Sequence, residues 1–161
     1  LFREDMNAQS DAYNNLRIET VPAFRYIKYA VISSDPEGDA LKHIFNFARD
    51  NGVDNPRVIG WDFPILSQEQ INIYNMHGYE AAWILPEGFE PAGCEIYEQP
   101  EHKYAAVHIE TPFETPFTTI PNAYKTLFEF IKVNGLEHNG KGAIPCFETD
   151  GDTMDVYIAV E

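Results

Sequence analysis

The closing stretch AIPCFETDGDTMDVYIAVE sets one carboxylate, Glu148, inside a short run whose neighbours favour a β-strand, with Asp155 and Tyr157 following shortly after. A carboxylate among aromatic side chains supports two chemistries. Held partly away from water, it attracts a delocalised organic cation more strongly than it would in bulk solvent, and aromatic faces add cation–π attraction. With its pKa raised in an apolar cleft, it can instead act as a general base that positions a water molecule. Both require Glu148 to face a ligand.

Strand parity gives the expected direction. In MDVYIAV, Met154, Val156, Ile158 and Val160 share an apolar face, and Asp155, Tyr157 and Ala159 share the other. A loop of two residues sets Glu148 opposite Thr153, and a loop of four sets it opposite Asp155. Either way Glu148 joins Asp155 and Tyr157, facing away from the core, while Phe147 joins the core face. Only an odd loop, as in a bulged hairpin, reverses the assignment. An ordinary wet sheet face would also carry Glu and Asp, so facing outward does not by itself make a site.

Other constellations are weaker. GLEHNGKG, from Gly135 to Gly142, approaches a phosphate-binding loop, but Gly142 replaces the magnesium-binding hydroxyl and the segment follows a helix instead of a strand. DGDTMD lacks the order and distant Glu of a calcium loop. His43, His77, His102, His108 and His138 are scattered without ligand spacing, so no metal is expected. No cofactor motif is present. Cys94 and Cys146 make no disulfide framework, and neither carries a nucleophile signature.

The 161 residues fit one domain with a real core, and 44% hydrophobic with 14% aromatic residues argue for a folded chain. A formal charge of −15 excludes nucleic-acid binding by this chain alone and permits attraction of cations. There is no signal-peptide pattern and no apolar run near transmembrane length, so a cytoplasmic protein without membrane contact is expected.

The elements that must position Glu148 follow from periodicity. Residues 16–33 read as a strand bent at Pro22. The next segment is an amphipathic helix presenting Leu41, Ile44, Phe45 and Ala48, after capping-type Ser34 and Asp35 and before Gly52. Residues 56–64 and 79–86 read as strands. The order then recurs: a strand over 102–110, a helix over 120–135 presenting Ile120, Tyr124, Leu127, Phe128 and Ile131 with Pro121 in its first turn, and a final hairpin. The pattern predicts an α+β fold of duplicated βαββ units, over 16–86 and 102–161. They would form a curved antiparallel sheet with two helices on one face and a ligand cleft on the other. Residues 1–15 read as a linker or flexible N-terminal segment before a domain spanning 16–161.

Several segments carry a resemblance: VPAFRYIKY, RVIGWDFP, YEAAWILPEGF, HKYAAVHIETPFE with IPNAYKTLFEFI, and CFET with MDVYIAV. Together they resemble the GyrI-like small-molecule-binding domain, also found as the effector-binding domain of AraC-type and MerR-type transcription regulators. The resemblance covers nearly the whole chain. It departs at TPFETPF, longer than the family's compact turn, and at Trp83, where a smaller residue is usual. It implies a cleft for hydrophobic, often cationic organic molecules, with the pocket acid at Glu148 and candidate walls at Tyr157, Trp61, Phe63, Tyr79, Trp83, Tyr104 and Phe113. For each aromatic, core packing and ligand contact both remain open.

The leading functional expectation is therefore a sensor domain for a small hydrophobic or cationic ligand. It would reach DNA only through a separate N-terminal domain, and a homodimer is compatible with it. The alternatives are a GyrI-like hydrolase of reactive xenobiotics using Glu148 as general base, and a stand-alone protein-interaction module.

Overall fold

The structure, a computed structural model, describes residues 13–62, 68–73, 75–114, 116–139 and 142–161. The elements run β1 (Tyr13–Val21), β2 (Phe24–Ser33), α1 (Pro36–Asp50), β3 (Arg57–Asp62), α2 (Gln68–Asn72), β4 (His77–Ile84) and β5 (Tyr97–Gln99). They continue as β6 (His102–Ile109), α3 (Pro116–Val133), β7 (Cys146–Thr149) and β8 (Met154–Ala159). The class is α+β with antiparallel pairing, as the periodicity predicts. By contact the chain forms two compact units, β1 with residues 99–161 and residues 24–98.

The expected single strand over 16–33 is two strands. Pro22 has no N–H to continue a ladder, and the chain breaks at Pro22 and Ala23. β1 then pairs antiparallel with β6, and β2 pairs with β4. β1 thus belongs with the C-terminal unit, although the sequence joins it directly to β2.

In the C-terminal unit the strand order is β1-β6-β8-β7, with α3 across one face. Ala105, Val107 and Ile109 of β6 pair with Ile158, Val156 and Met154 of β8, and these side chains pack with Ala123, Leu127 and Ile131 of α3. The helix begins at Pro116, earlier than the expected 120, which leaves Pro121 inside the helix. Phe128 turns outward and meets His138 edge-on, so it leaves the expected apolar stripe.

In the other unit the order is β3-β4-β2-β5. Ile27 of β2 and Val58 of β3 both pair with Trp83 of β4, and all three pack under Ala40, Ile44 and Ala48 of α1. The buried set on α1 runs Pro36, Ala40, Ile44, Ala48, with Phe47 partly buried against the same cluster, while Phe45 is exposed. Asp35 stands at the N-cap without a side-chain capping bond.

The two expected repeats share one topology. With β1 of the expected 16–86 repeat assigned to the C-terminal unit and the short α2 set aside, β2-α1-β3-β4 and β6-α3-β7-β8 each place the last strand between the other two. Among the described residues, no helix is long and apolar enough to cross a membrane.

One close approach fixes the packing beneath α1. Tyr79 pairs with Asp62 and leans over Gly60, so a Cβ added at Gly60 would collide with the Tyr79 ring and hydroxyl. Gly60→Ala is therefore expected to destabilise the fold by about 1–3 kcal/mol. In a double-mutant cycle with Tyr79→Leu, the pair should cost less than the sum of its singles, because the leucine vacates the ring's space. Urea unfolding of the four proteins checks both outcomes.

Candidate functional site

Strand alternation divides each unit's side chains between a face under a helix and a helix-free face. The predicted site residues fall on both.

Glu148 lies under α3. The register pairs Cys146 with Ile158, Phe147 with Tyr157 and Glu148 with Val156. Seven residues, 149 to 155, separate Glu148 from its partner, an odd number, so the hairpin is the case that reverses parity. The Thr149 hydroxyl helps set this turn by accepting the Asp155 backbone N–H at 2.9 Å. Glu148 therefore shares the face of Val156 and Ile158, where the Tyr124 hydroxyl of α3 donates to its Oε2 at 3.3 Å. The expectation that Glu148 faces away from the helices is corrected by this register, and so is the assignment of Phe147 to the core face under α3.

Tyr79 and Trp83 are also core under α1. Trp83 is 0% exposed between Phe47 and Phe89, and its indole N–H finds no acceptor among the described residues. Phe113 is 54% exposed in the turn before α3. Phe63 lies outside the described residues.

On the helix-free face of the C-terminal unit, Tyr104 and Tyr157 do come together. Phe147 stacks on Tyr157 at 4.7 Å between centroids, and Tyr104 meets both rings edge-on. Tyr104 is fully buried, donating to the Ile144 carbonyl at 2.8 Å and accepting from Gln99 Nε2 at 3.1 Å. Gln99 Oε1 in turn accepts the Ile144 N–H, so these three residues are linked by a ring of hydrogen bonds.

Tyr157 stands at the edge of a charged array. Arg17 Nη2 donates to its hydroxyl at 3.2 Å, Arg17 pairs with Glu19 and Asp155, and Asp155 meets His108 Nδ1 at 2.9 Å. Burial first, then Glu19 and Asp155, push the Tyr157 phenol up to about 12, against the lowering effect of Arg17.

The helix-free face of the 24–98 unit carries a different arrangement. Tyr79 and Ala81 go under α1, so Glu80 between them points the other way. It pairs across with Ala30 on β2 and Trp61 on β3. Trp61 Nε1 donates to Glu80 Oε2 at 2.6 Å, a short charge-assisted bond, and Lys28 Nζ lies 3.4 Å from Oε1. The Glu80 side chain is only 12% exposed. Tyr26 meets Trp61 edge-on and stacks on Tyr97 at 5.6 Å, and Lys28 lies over the Tyr97 ring at 4.7 Å from its centroid.

Burial first raises the Tyr26 phenol pKa, with Glu80 and Tyr97 adding to the rise and Lys28 opposing it. On the α1 side of β2, Ile27, Tyr29, His43, Ile44 and Phe47, with Lys28, Glu95 and Tyr97 at its margin, line a recess of about 380 Å³, in which His43 stacks on Tyr29. Glu80, Tyr26, Lys28 and Tyr97 were not among the predicted site residues. The signal for Glu80 was present: YEAAW holds a lone charge in an otherwise apolar strand, the same cue that drew attention to Glu148.

No protein-family model matches the chain, and no curated protein matches its sequence. Solved structures do match. EcmrR, in an EcmrR-DNA complex in EcmrR-RPo, has a TM-score of 0.62 at 14% identity, covering 99% of this chain and 63% of that one. The chain thus spans less than two thirds of EcmrR. A hydrolase from Listeria innocua has a TM-score of 0.64 at 10% identity, covering 99% and 98% of the two chains. SAV2435 bound to tetraphenylphosphonium has a TM-score of 0.50 at 14% identity, covering 92% and 94%. At these identities the likeness is one of fold.

The Tyr157 shift gives a pH expectation. Its folded value lies above the usual tyrosine value near 10, so the stabilisation is complete below about pH 10 and is lost as pH rises toward 12. Tyr157→Phe should flatten the fall in unfolding midpoint between about pH 9 and pH 12, as read by urea titrations.

Proposed function

We propose that this chain is a small-molecule-binding effector domain of the GyrI-like kind, taking a hydrophobic organic cation on the helix-free face around Glu80. The observation that carries the reading is Glu80 itself, a carboxylate 12% exposed, held by Trp61 and set among Tyr26 and Tyr97. A bare sheet face gives no reason to sequester a carboxylate among three aromatic rings. A lipophilic cation gives one, since it brings charge for Glu80 and apolar surface for the rings.

The reading moves the recognition acid from Glu148, beneath α3, to Glu80. The overall charge of −15 favours a cation's approach. The likeness to SAV2435, solved with tetraphenylphosphonium, supports the ligand class. That to EcmrR, solved on DNA, supports a sensor role within a transcription regulator whose DNA contacts come from another part of the protein.

Calorimetric titration with tetraphenylphosphonium tests the ligand. Binding is expected for the unmodified chain, and Glu80→Gln should weaken it by roughly tenfold or more, the scale of losing a partly desolvated charge partner. Glu148→Gln should bind as the unmodified protein does. A loss confined to Glu148→Gln, with Glu80→Gln unaffected, would return the recognition acid to Glu148.

A further inference from the structure

We propose that Lys28 is a resident occupant of the cation subsite at Glu80, so that an organic cation binds there by displacing the lysine ammonium. The inference rests on the reading of Glu80 given above and adds a regulatory element to it.

The groups that would recognise an incoming cation already engage Lys28. Its Nζ lies 3.4 Å from Glu80 Oε1 and 4.7 Å from the centroid of Tyr97, whose ring is backed by Tyr26. Trp61 holds the other carboxylate oxygen at 2.6 Å, so the orientation of Glu80 is fixed and Oε1 is the oxygen presented to a cation. Among the described residues Lys28 is the cation that pairs with Glu80.

Lys28 is also able to leave. Its side chain is 31% exposed, and its flexible four-carbon stem can return the ammonium to water.

A tethered competitor imposes selectivity. An intramolecular ammonium is present at an effective concentration in the millimolar range or above, so a small free ammonium gains too little to displace it. A bulky lipophilic cation gains aromatic contact in addition to the charge, and can do so. Lys28 thus acts as a filter that rejects small hydrated cations and admits lipophilic ones.

The test titrates the full chain, Lys28→Met, Lys28→Gln and Lys28→Met/Glu80→Gln with three probes: tetraphenylphosphonium, neutral triphenylphosphine oxide and butylammonium. Removing the competitor should tighten tetraphenylphosphonium by roughly tenfold in both single variants, the combined scale of one exposed ion pair and one cation–π contact. Butylammonium binding should become measurable only in those variants, triphenylphosphine oxide should change by less than about twofold, and the added Glu80→Gln should erase the gain. Equal or weaker tetraphenylphosphonium binding in both single variants, with the unmodified protein still binding, would overturn the displacement role and leave the Glu80 site standing. An equal gain for the neutral probe would assign the effect to freed space and overturn it as well. No binding by any of the proteins would remove the Glu80 site and the proposal together.

Discussion

The alternation of side chains along a strand governs the rest of this structure. Once α1 claims Tyr79, Ala81 and Trp83 for the core, Glu80 and Ala82 between them must project from the opposite face. The same rule sends Val58 under the helix and Trp61 to the other side. Glu80 and Trp61 are then directly opposed on neighbouring strands, the geometry that lets an indole N–H reach a carboxylate at 2.6 Å. Two helices with small contact residues, Ala40 and Ala48 on α1 and Ala123 on α3, bring each helix close to its sheet. Each therefore fixes which side of its sheet is left for polar and aromatic groups.

The two helix-free faces use their polar groups differently. In the C-terminal unit, Tyr104, Gln99 and Ile144 hydrogen-bond one another, and Arg17 bridges Glu19, Asp155 and the Tyr157 hydroxyl, with His108 between Asp155 and Glu110. Such a multiply bonded network orders a surface, and a ligand entering it would have to break several directional contacts. Around Glu80 the balance is simpler. One carboxylate is anchored by a neutral donor and neutralised by one flexible ammonium, with ring faces on the same side. A single exchangeable ion pair among aromatic surfaces is suited to binding, because replacing it costs one mobile contact and leaves the anchored groups in place.

Much of this architecture was legible in the sequence. The 3.6-residue pattern found both long helices, and the period-2 pattern found the strands from β3 through β8 except β5, whose three residues are too few to show alternation. The duplicated βαββ order and the assignment of Asp155 and Tyr157 to the helix-free face also follow from periodicity. The face of Glu148 did not follow, because parity across a hairpin depends on whether its loop is odd or even, and TDGDT permits both. Phe45 and Phe47 exchanged roles because both flank the apolar stripe of α1, where a small rotation decides between them. Glu80 on β4 needed partners from β2, β3 and β5, brought together by strand order that no local pattern reveals.

The chain has two tryptophans, and they report opposite environments. The Trp61 indole N–H donates to a carboxylate, while that of Trp83 has no acceptor among the described residues and lies in the core under α1. Their two indole resonances in a proton–nitrogen correlation spectrum should therefore be well separated, with Trp61 downfield and assignable through Trp61→Phe. Titration with tetraphenylphosphonium is the most direct test that ligand recognition is centred on Glu80. The expected result is a saturable shift of the Trp61 indole signal while that of Trp83 stays in place. A saturable shift of Trp83 with Trp61 unmoved, or saturable binding that moves neither, would contradict it.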